Sequence, residues 1–526
     1  MKNISTPILV LLVALWIVLF DNASFFKHLI NVYPLNETYI PFNISVTLVT
    51  FLFYALALLL LSWKYITKPI LIILLILAAV ENYFMQTYNI LIDKTMIENT
   101  VQTDIHEALD LMNWKIFAYL IILGLLPSYF VYNSTITYKS FQSEIFSKLK
   151  WVMSIVVIII LLMLPFSKHY TSFLREHKTI RFYSNPAHGL FSLGSYIKAQ
   201  LKDKNVPIKQ IGLDAKIDEK RKKRVVIMVV GEAARADHFS LNGYNKETNP
   251  LLKKENIINF SNIYSCGTTT AVSVPCMFSI YDKSDYSTNK GLHTENVVDV
   301  LDHAGVDVIW RDNNSNSKGV ADRVTYQYYK DNTHNTLCKD ECRDEGMLIG
   351  LDKIIEESQK DLLIILHQMG NHGPAYYKRY PKEFEIFTPT CQTNQLEACT
   401  QEEISNAYDN ALRYTDYFLS KTINLLKKYE GEMDTAMYYM ADHGESLGEN
   451  GMYLHGIPYF IAPDHQKHVA SVVWLGKNFS LNQKAIKLIS NKKFSQDNLF
   501  STLLGLFDVQ SSIYEKEMDI FNVGRE

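Results

Sequence analysis

The sequence predicts a chain in two parts. Five transmembrane helices occupy residues 1–166, an α/β domain with a mainly parallel central sheet occupies 225–526, and a connector spans 167–224. Three observations carry that expectation. The chain has 526 residues with 52 Lys+Arg against 55 Asp+Glu, yet only 18 of these charges fall in the first 166 positions and 89 in the remaining 360. Five apolar stretches lie in the charge-poor part, at about 4–20, 46–63, 69–89, 116–133 and 151–166. In the charged part, short β-branched runs alternate with helical segments and glycine turns, the pattern of a parallel sheet whose strands are buried on both faces.

Each apolar stretch approaches the roughly 20 residues that a helix needs to cross a bilayer, and VTLVTFLFYALALLLLSW (46–63) carries no charge at all. The first stretch follows Lys2 and has the outline of a secretory leader. No small-residue cleavage site follows it and four further spans do, so it reads as an uncleaved helix. Lysine placement orients the bundle: Lys2, then Lys64 and Lys68, then Lys139, Lys148 and Lys150 mark cytoplasmic segments, which puts everything after residue 166 outside. Between spans three and four, Asn99, Thr103 and Glu107 recur at i, i+4, i+8. Spacing alone favours an ordinary solvated loop helix there over a head-group site. Glu81, at the outer end of span three, fits an interior cavity or an interfacial position equally well. The connector, ending in KRKKR, reads either as an amphipathic surface helix or as a basic solvated linker.

All six cysteines lie in the charged part, and their spacing pairs neighbours: Cys266 with Cys276, Cys338 with Cys342, Cys391 with Cys399. No CxxC of a zinc ribbon occurs, so three short disulfides and an oxidising compartment are expected. That compartment agrees with the lysine argument. The small net charge of −3, with neither part strongly basic, argues against a nucleic-acid surface.

VVIMVV (225–230), VDVIW (306–310), LLIIL (362–366), TAMYYM (435–440) and ASVVWL (470–475) read as buried strands, and a long helix is expected over 403–428. The polar residues directly after the strands carry the chemistry. The first strand runs into Glu232, the third into His367 and then His372, the fourth into Asp442 and His443, with His455 slightly beyond. Ligands bind at the carboxyl ends of such strands, so these groups converge there as a carboxylate and imidazole set suited to zinc, with manganese open from ligand type alone. Three threonines stand together in SCGTTTAVSVPCMFS (265–279), inside the Cys266–Cys276 loop. A hydroxyl held beside a divalent cation is a nucleophile candidate, because coordination lowers its pKa.

These residues resemble a known family: the membrane-bound phosphoethanolamine transferases that modify lipid A, which include the mobile colistin-resistance enzymes and belong to the alkaline phosphatase and sulfatase-like superfamily. VGEAARADHFSLNGY, SCGTTTAVSVPCMFS, NHGPAYYKRYP and ADHGESLGENGMYLHG carry the resemblance, which covers essentially the whole chain. It implies an alkaline-phosphatase-like catalytic domain with Thr270 as nucleophile and Glu232, Thr270, Asp442 and His443 on a tightly bound Zn2+. His372 and His455 match histidines that hold a second zinc or the substrate phosphate and assist proton transfer. Ser315 and Lys318 match phosphoethanolamine contacts; Asn99, Thr103 and Glu107 match donor-lipid contacts, reversing the reading from spacing. No disulfide beyond the three pairs is expected.

The resemblance implies transfer of phosphoethanolamine from phosphatidylethanolamine to lipid A or lipopolysaccharide through a phosphoethanolamine-threonine intermediate. It further implies lower surface negative charge, polymyxin resistance, and a monomer in the bacterial inner membrane with its catalytic domain in the periplasm. A sulfatase is excluded, because neither Cys266 nor Cys276 opens the C/S-x-P/A-x-R motif that formylglycine formation needs. A phosphoglycerol transferase, another envelope acceptor (core sugar, glycan or protein) and a non-catalytic scaffold stay open at this point.

Overall fold

The computed structural model describes the chain apart from residues 1, 2, 104, 139, 203–205, 219, 340 and 526, together with the side chains of 105–107, 178 and 202. Lys2, Lys139 and the Glu107 side chain therefore lie outside the described residues. The chain forms two compact units, one of Met1–Ile97 with Met112–Ile197 and the other of Glu98–Leu111 with Lys198–Glu526.

The first unit is helical. Ile40–Leu61, Thr67–Tyr88, Trp114–Asn133 and Phe141–Arg175 are long and apolar enough to cross a membrane, and Thr6–Phe20 with Ala23–Val32 makes a fifth if this pair, bent by 59°, is one span. The last of these continues past position 166 through a 3-10 turn at Leu164–Phe166, so the apolar stretch 151–166 lies inside a longer helical segment. Val13, Ala14, Ile17, Ala55, Leu58 and Leu75 fill the interior. Leu19, Ile73, Phe130 and Leu161 point outward with 55–65% of their surface exposed, an apolar exterior that suits lipid tails and not water. At the bend, peptide groups released from the helix find side-chain partners. Asn185 Nδ2 donates to Asp21 O at 2.9 Å and Asn22 Nδ2 to Ile17 O at 3.0 Å, while the same Asn185 amide reaches Ala78 O of the Thr67–Tyr88 helix at 2.8 Å. Broken helices are tolerated at membrane depth on that condition. Glu81 takes the interior of the two positions open to it, 5% exposed and packed against Gly189, where an added Cβ would lie 2.1 Å from Oε1.

The second unit is built on an eight-stranded sheet. Its strands are β1 (Arg224–Gly231), β2 (Ile257–Tyr264), β3 (Asp307–Asp312), β4 (Thr325–Tyr328), β5 (Leu362–His367), β6 (Asp434–Ala441), β7 (His468–Leu475) and β8 (Phe494–Ser495), in the order β8-β2-β7-β6-β1-β5-β3-β4. Only β7 runs antiparallel to its neighbours. The five strands read from sequence are the apolar ones; Val225 to Val230 of β1 are fully buried. The long helix is Gln401–Lys427, started by a capping box in which Thr400 and Glu403 satisfy each other's backbone amides.

All six cysteines are paired as neighbours: Cys266–Cys276, Cys338–Cys342 and Cys391–Cys399. The first closes the loop that carries the three threonines. Replacing both its cysteines by serine is expected to destabilise this unit by about 2–3 kcal/mol, the loop-closure value for a ring of this size. Thermal unfolding checks this: equal midpoints for the double variant and the native chain would show that the bridge contributes nothing.

Candidate active site

The parallel strands β6, β1, β5 and β3 are consecutive in the sheet, so their carboxyl ends form one edge. Glu232 follows β1; Asp442 and His443 follow β6; all three are at most 1% exposed. The loop after β2 brings in Thr270, first residue of the Thr270–Met277 helix and itself 4% exposed. Its Oγ1 donates to Glu232 Oε2 at 3.0 Å and lies 3.3 Å from His443 Nε2. Glu232 Oε1 and Asp442 Oδ2 are 3.3 and 3.5 Å from that same nitrogen. Asp442 Oδ1 accepts from the amides of Ala233 and His443, whereas the buried Oδ2 accepts none.

This donor set fits a divalent cation. Ligands about 2.0–2.1 Å from a tetrahedral zinc lie roughly 3.3 Å from one another, close to the separations of Thr270, Glu232 and Asp442 from His443 Nε2. Two buried carboxylates also need a positive charge to compensate them. His443 is prepared for the role: Nδ1–H donates to Gly444 O at 2.8 Å, leaving the Nε2 lone pair facing the carboxylates. Burial holds the imidazole below its usual range, hence neutral. Gly444 itself is obligatory, since a Cβ there would meet His465 O at 2.0 Å.

His455 joins the cluster from the loop after β6. Its ring is 4.2 Å from that of His443 and 5.8 Å from that of His372, and Glu232, His443 and His455 offer ligand atoms within 4.8 Å of one another. Glu445 orients it, facing His455 Nδ1 at 2.9 Å with one oxygen and accepting from Tyr376 OH at 2.9 Å with the other. His372 is held well below its usual pKa by burial and by the charges of Arg379 and His455.

Beyond β3, Ser315 and Lys318 are both 7% exposed, and Lys318 Nζ donates to Ser315 O at 2.8 Å and to Gln102 O at 3.2 Å. That second bond ties the 98–111 segment to this loop. The segment carries two short helices where the spacing suggested one: the first ends at Gln102 and the second spans Ile105–Asp110. A local bond from Thr103 Oγ1 to Asn99 O at 2.7 Å keeps those two residues together.

Asp110 anchors the segment's other end, receiving bonds from Lys378 Nζ at 2.5 Å and Arg379 Nη2 at 2.6 Å, while Arg379 Nε donates to His372 O at 2.8 Å. Burial raises the Asp110 carboxyl, but the Arg379 charge and the bonds from both cations outweigh it and hold the group below its ordinary range. The resulting stabilisation is complete above the unfolded carboxyl value near 3.9 and is lost as pH falls through the lower folded value. Asp110→Ala is expected to cost about 3 kcal/mol, because Arg379 loses a buried partner. In Asp110→Asn the acid limb of the stability profile should flatten; urea unfolding from pH 6 to 2 measures both effects.

Two residues that no sequence pattern singled out complete the site. Asn314 Nδ2 donates to Glu232 Oε2 at 2.9 Å and to Gln368 O at 2.7 Å, fixing the carboxylate. Gln496 accepts from Cys266 N at 2.7 Å and donates to the carbonyls of Ala441 and Asp442 at 2.8 and 2.7 Å, clamping the threonine loop to the end of β6. The run DNNSN after β3 is the signal that could have found Asn314. No local pattern marks Gln496.

The edge of a mostly parallel sheet carries a hydroxyl among carboxylates and histidines, and residues 224–509, which hold this site, match the sulfatase family. Residues 49–201 match the family described as phosphoethanolamine transferase EptA/EptB. Phosphatidylethanolamine transferase Mcr-2 of Escherichia coli is 44% identical over 96% of this chain and 96% of its own. Phosphoethanolamine transferase EptA of E. coli K12 is 39% identical over 98% of this chain and 96% of its own. The solved structure of the integral membrane protein lipooligosaccharide phosphoethanolamine transferase A from Neisseria meningitidis superposes with a TM-score of 0.95, at 32% identity and with both chains fully covered. The chain belongs to the phosphoethanolamine transferase family.

Proposed function

We propose that this protein transfers phosphoethanolamine from phosphatidylethanolamine to lipid A or lipopolysaccharide, lowering surface negative charge and conferring polymyxin resistance. It does so as a multi-pass inner-membrane protein, acting as a monomer, with residues 1–166 as the anchor, 167–224 as the connector and 225–526 as the catalytic domain in the periplasm. The observation that carries the reading is the Thr270 hydroxyl within 3.0–3.3 Å of Glu232 and His443, at the start of a helix. The activities named for the relatives supply the group transferred and both lipids.

Glu232, Thr270, Asp442 and His443 would hold one Zn2+, and His372 with His455 would hold a second or the substrate phosphate. Bound zinc supplies Lewis acidity that lowers the hydroxyl pKa and neutralises charge on the phosphoryl oxygens. The chain's own groups do the rest. Thr270 Oγ1 gives its proton to Glu232 Oε2 and attacks phosphorus; the Oγ1–P bond forms as the P–O bond to diacylglycerol breaks, and the departing oxygen takes a proton from His455, which Glu445 orients, while the neutral His372 assists by holding the phosphate. An oxygen of the acceptor then attacks phosphorus and gives its proton to His455, the Oγ1–P bond breaks, and Oγ1 recovers its proton from Glu232. Lys318 and the first amides of the Thr270–Met277 helix face the equatorial oxygens in both steps. Asn99, Thr103, Glu107 and Ser315 contact the donor head group.

Mass spectrometry of lipid A from cells with and without the gene tests the reading. An added phosphoethanolamine is expected; added phosphoglycerol, or unmodified lipid A alongside a modified core sugar, glycan or protein, would replace it.

A further inference from the structure

The rim beside the threonine loop carries charge that the transfer chemistry above does not use. Lys283, Lys467 and Lys493 come from three separate segments and gather on two tyrosines. Lys283 Nζ lies over the Tyr459 ring and Lys467 Nζ is 5.3 Å from its centroid, while Lys493 Nζ is 4.4 Å from the Tyr264 ring. Two acids lie among them: Asp497, whose charge acts on the Lys283 ammonium and which accepts from the Lys283 backbone amide at 2.8 Å, and Asp464, which accepts from Tyr264 OH at 3.4 Å. Three ammoniums against two carboxylates leave a net positive surface. Burial, and then the Lys467 and Lys493 charges against that of Asp497, push the Lys283 ammonium down to about 8. Such crowding is relieved by an anion. Beside Tyr459 stand Phe460 and Ile461, 69% and 38% exposed.

Each segment of this patch is tied to the loop that carries Thr270 or to the strand and disulfide that flank it. Gly456 N donates to Thr268 O at 2.9 Å and Thr268 Oγ1 to Ile457 O at 2.7 Å, which ties down the chain leading to Tyr459. Ser265 N donates to Lys467 O at 2.8 Å. Lys493 precedes β8, which pairs with Ile263 and Tyr264 just ahead of the loop. Asp497, bonded to Lys283, packs against the Cys266–Cys276 bridge.

We propose that this patch seats the acceptor: Lys283, Lys467 and Lys493 hold the phosphates of a phosphorylated glycolipid, Tyr459, Phe460 and Ile461 take its apolar part, and one phosphate oxygen is presented to the phosphoryl group on Thr270. The proposal rests on the transferase reading above. Lysines act as point charges that tolerate several phosphate geometries, and three of them match a multiply charged acceptor better than a donor with a single phosphodiester.

The test uses the full-length protein in detergent with two readouts, diacylglycerol release from phosphatidylethanolamine and transfer to lipid A. In K283A/K467A/K493A, diacylglycerol release should stay within about twofold of the native rate while KM for lipid A rises about tenfold or more. The native KM should climb with added NaCl and the variant's should not, and the triple Lys→Arg variant should keep the native KM. A native KM for lipid A in the alanine variant, or parallel loss of diacylglycerol release, overturns the proposal. So does loss of flotation on phosphatidylglycerol vesicles with KM unchanged, which would assign the patch to the bilayer surface. If the native chain itself releases no diacylglycerol, the transferase reading fails and the acceptor seat falls with it.

Discussion

Thr270→Ala is expected to abolish lipid A modification, a fall of at least about 10³-fold, equivalent to roughly 4 kcal/mol of barrier. The reason is positional. Thr268 and Thr269 are as buried as Thr270, but Thr268 Oγ1 is spent on Ile457 O, and Thr269 is the residue before the helix. Of the three, Thr270 alone places its hydroxyl within hydrogen-bond reach of both Glu232 and His443. Thr270→Ser keeps the hydroxyl and should retain measurable transfer with a lower kcat, because the lost methyl group leaves the side chain a second rotamer. Intact mass of the native protein incubated with phosphatidylethanolamine alone should reveal a phosphoethanolamine adduct that Thr270→Ala lacks. Persistence of the adduct or of lipid A modification in Thr270→Ala would move the nucleophile elsewhere; Thr269→Ala provides the comparison, since it leaves the reacting hydroxyl in place.

The parts legible in the sequence share a physical cause. Strands buried on both faces must be continuously apolar, so VVIMVV, LLIIL and TAMYYM stood out, and the polar residues ending each run fell at the sheet's carboxyl edge. Glu232, Asp442 and His443 were therefore readable as a group. The strands Ile257–Tyr264, Thr325–Tyr328 and Phe494–Ser495 were not, because they lie toward the margins of the sheet and keep polar, partly exposed residues that break the apolar signal. Asn314 and Gln496 escaped for another reason: each acts through partners 54 to 230 positions away in the chain, and no local spacing encodes such a contact. The break after Gln102 was hidden as well, because i, i+4, i+8 spacing describes a face only while the helix continues.

Metal removal gives the second large effect, and it separates binding from chemistry. Dialysis against a chelator should abolish transfer and lower the melting temperature by on the order of 10 °C, since a ligand at about 1,000 times its Kd stabilises by about 4 kcal/mol. Readdition of Zn2+ should restore both. The informative variant is Asp442→Asn. Asp442 Oδ1 accepts from two backbone amides, a role the asparagine carbonyl keeps, while Oδ2 points at His443 Nε2 from 3.5 Å without receiving a hydrogen bond. An amide NH2 in that place removes one buried negative charge and offers a donor to the imidazole. Metal-free Asp442→Asn should therefore melt higher than the metal-free native chain, yet gain less from added zinc and transfer phosphoethanolamine at least about 10²-fold more slowly. A purely structural role for this carboxylate gives the opposite order, with the variant less stable in the absence of metal. Native protein that carries no zinc by elemental analysis, and whose melting is indifferent to chelation, would remove the metal from the mechanism altogether.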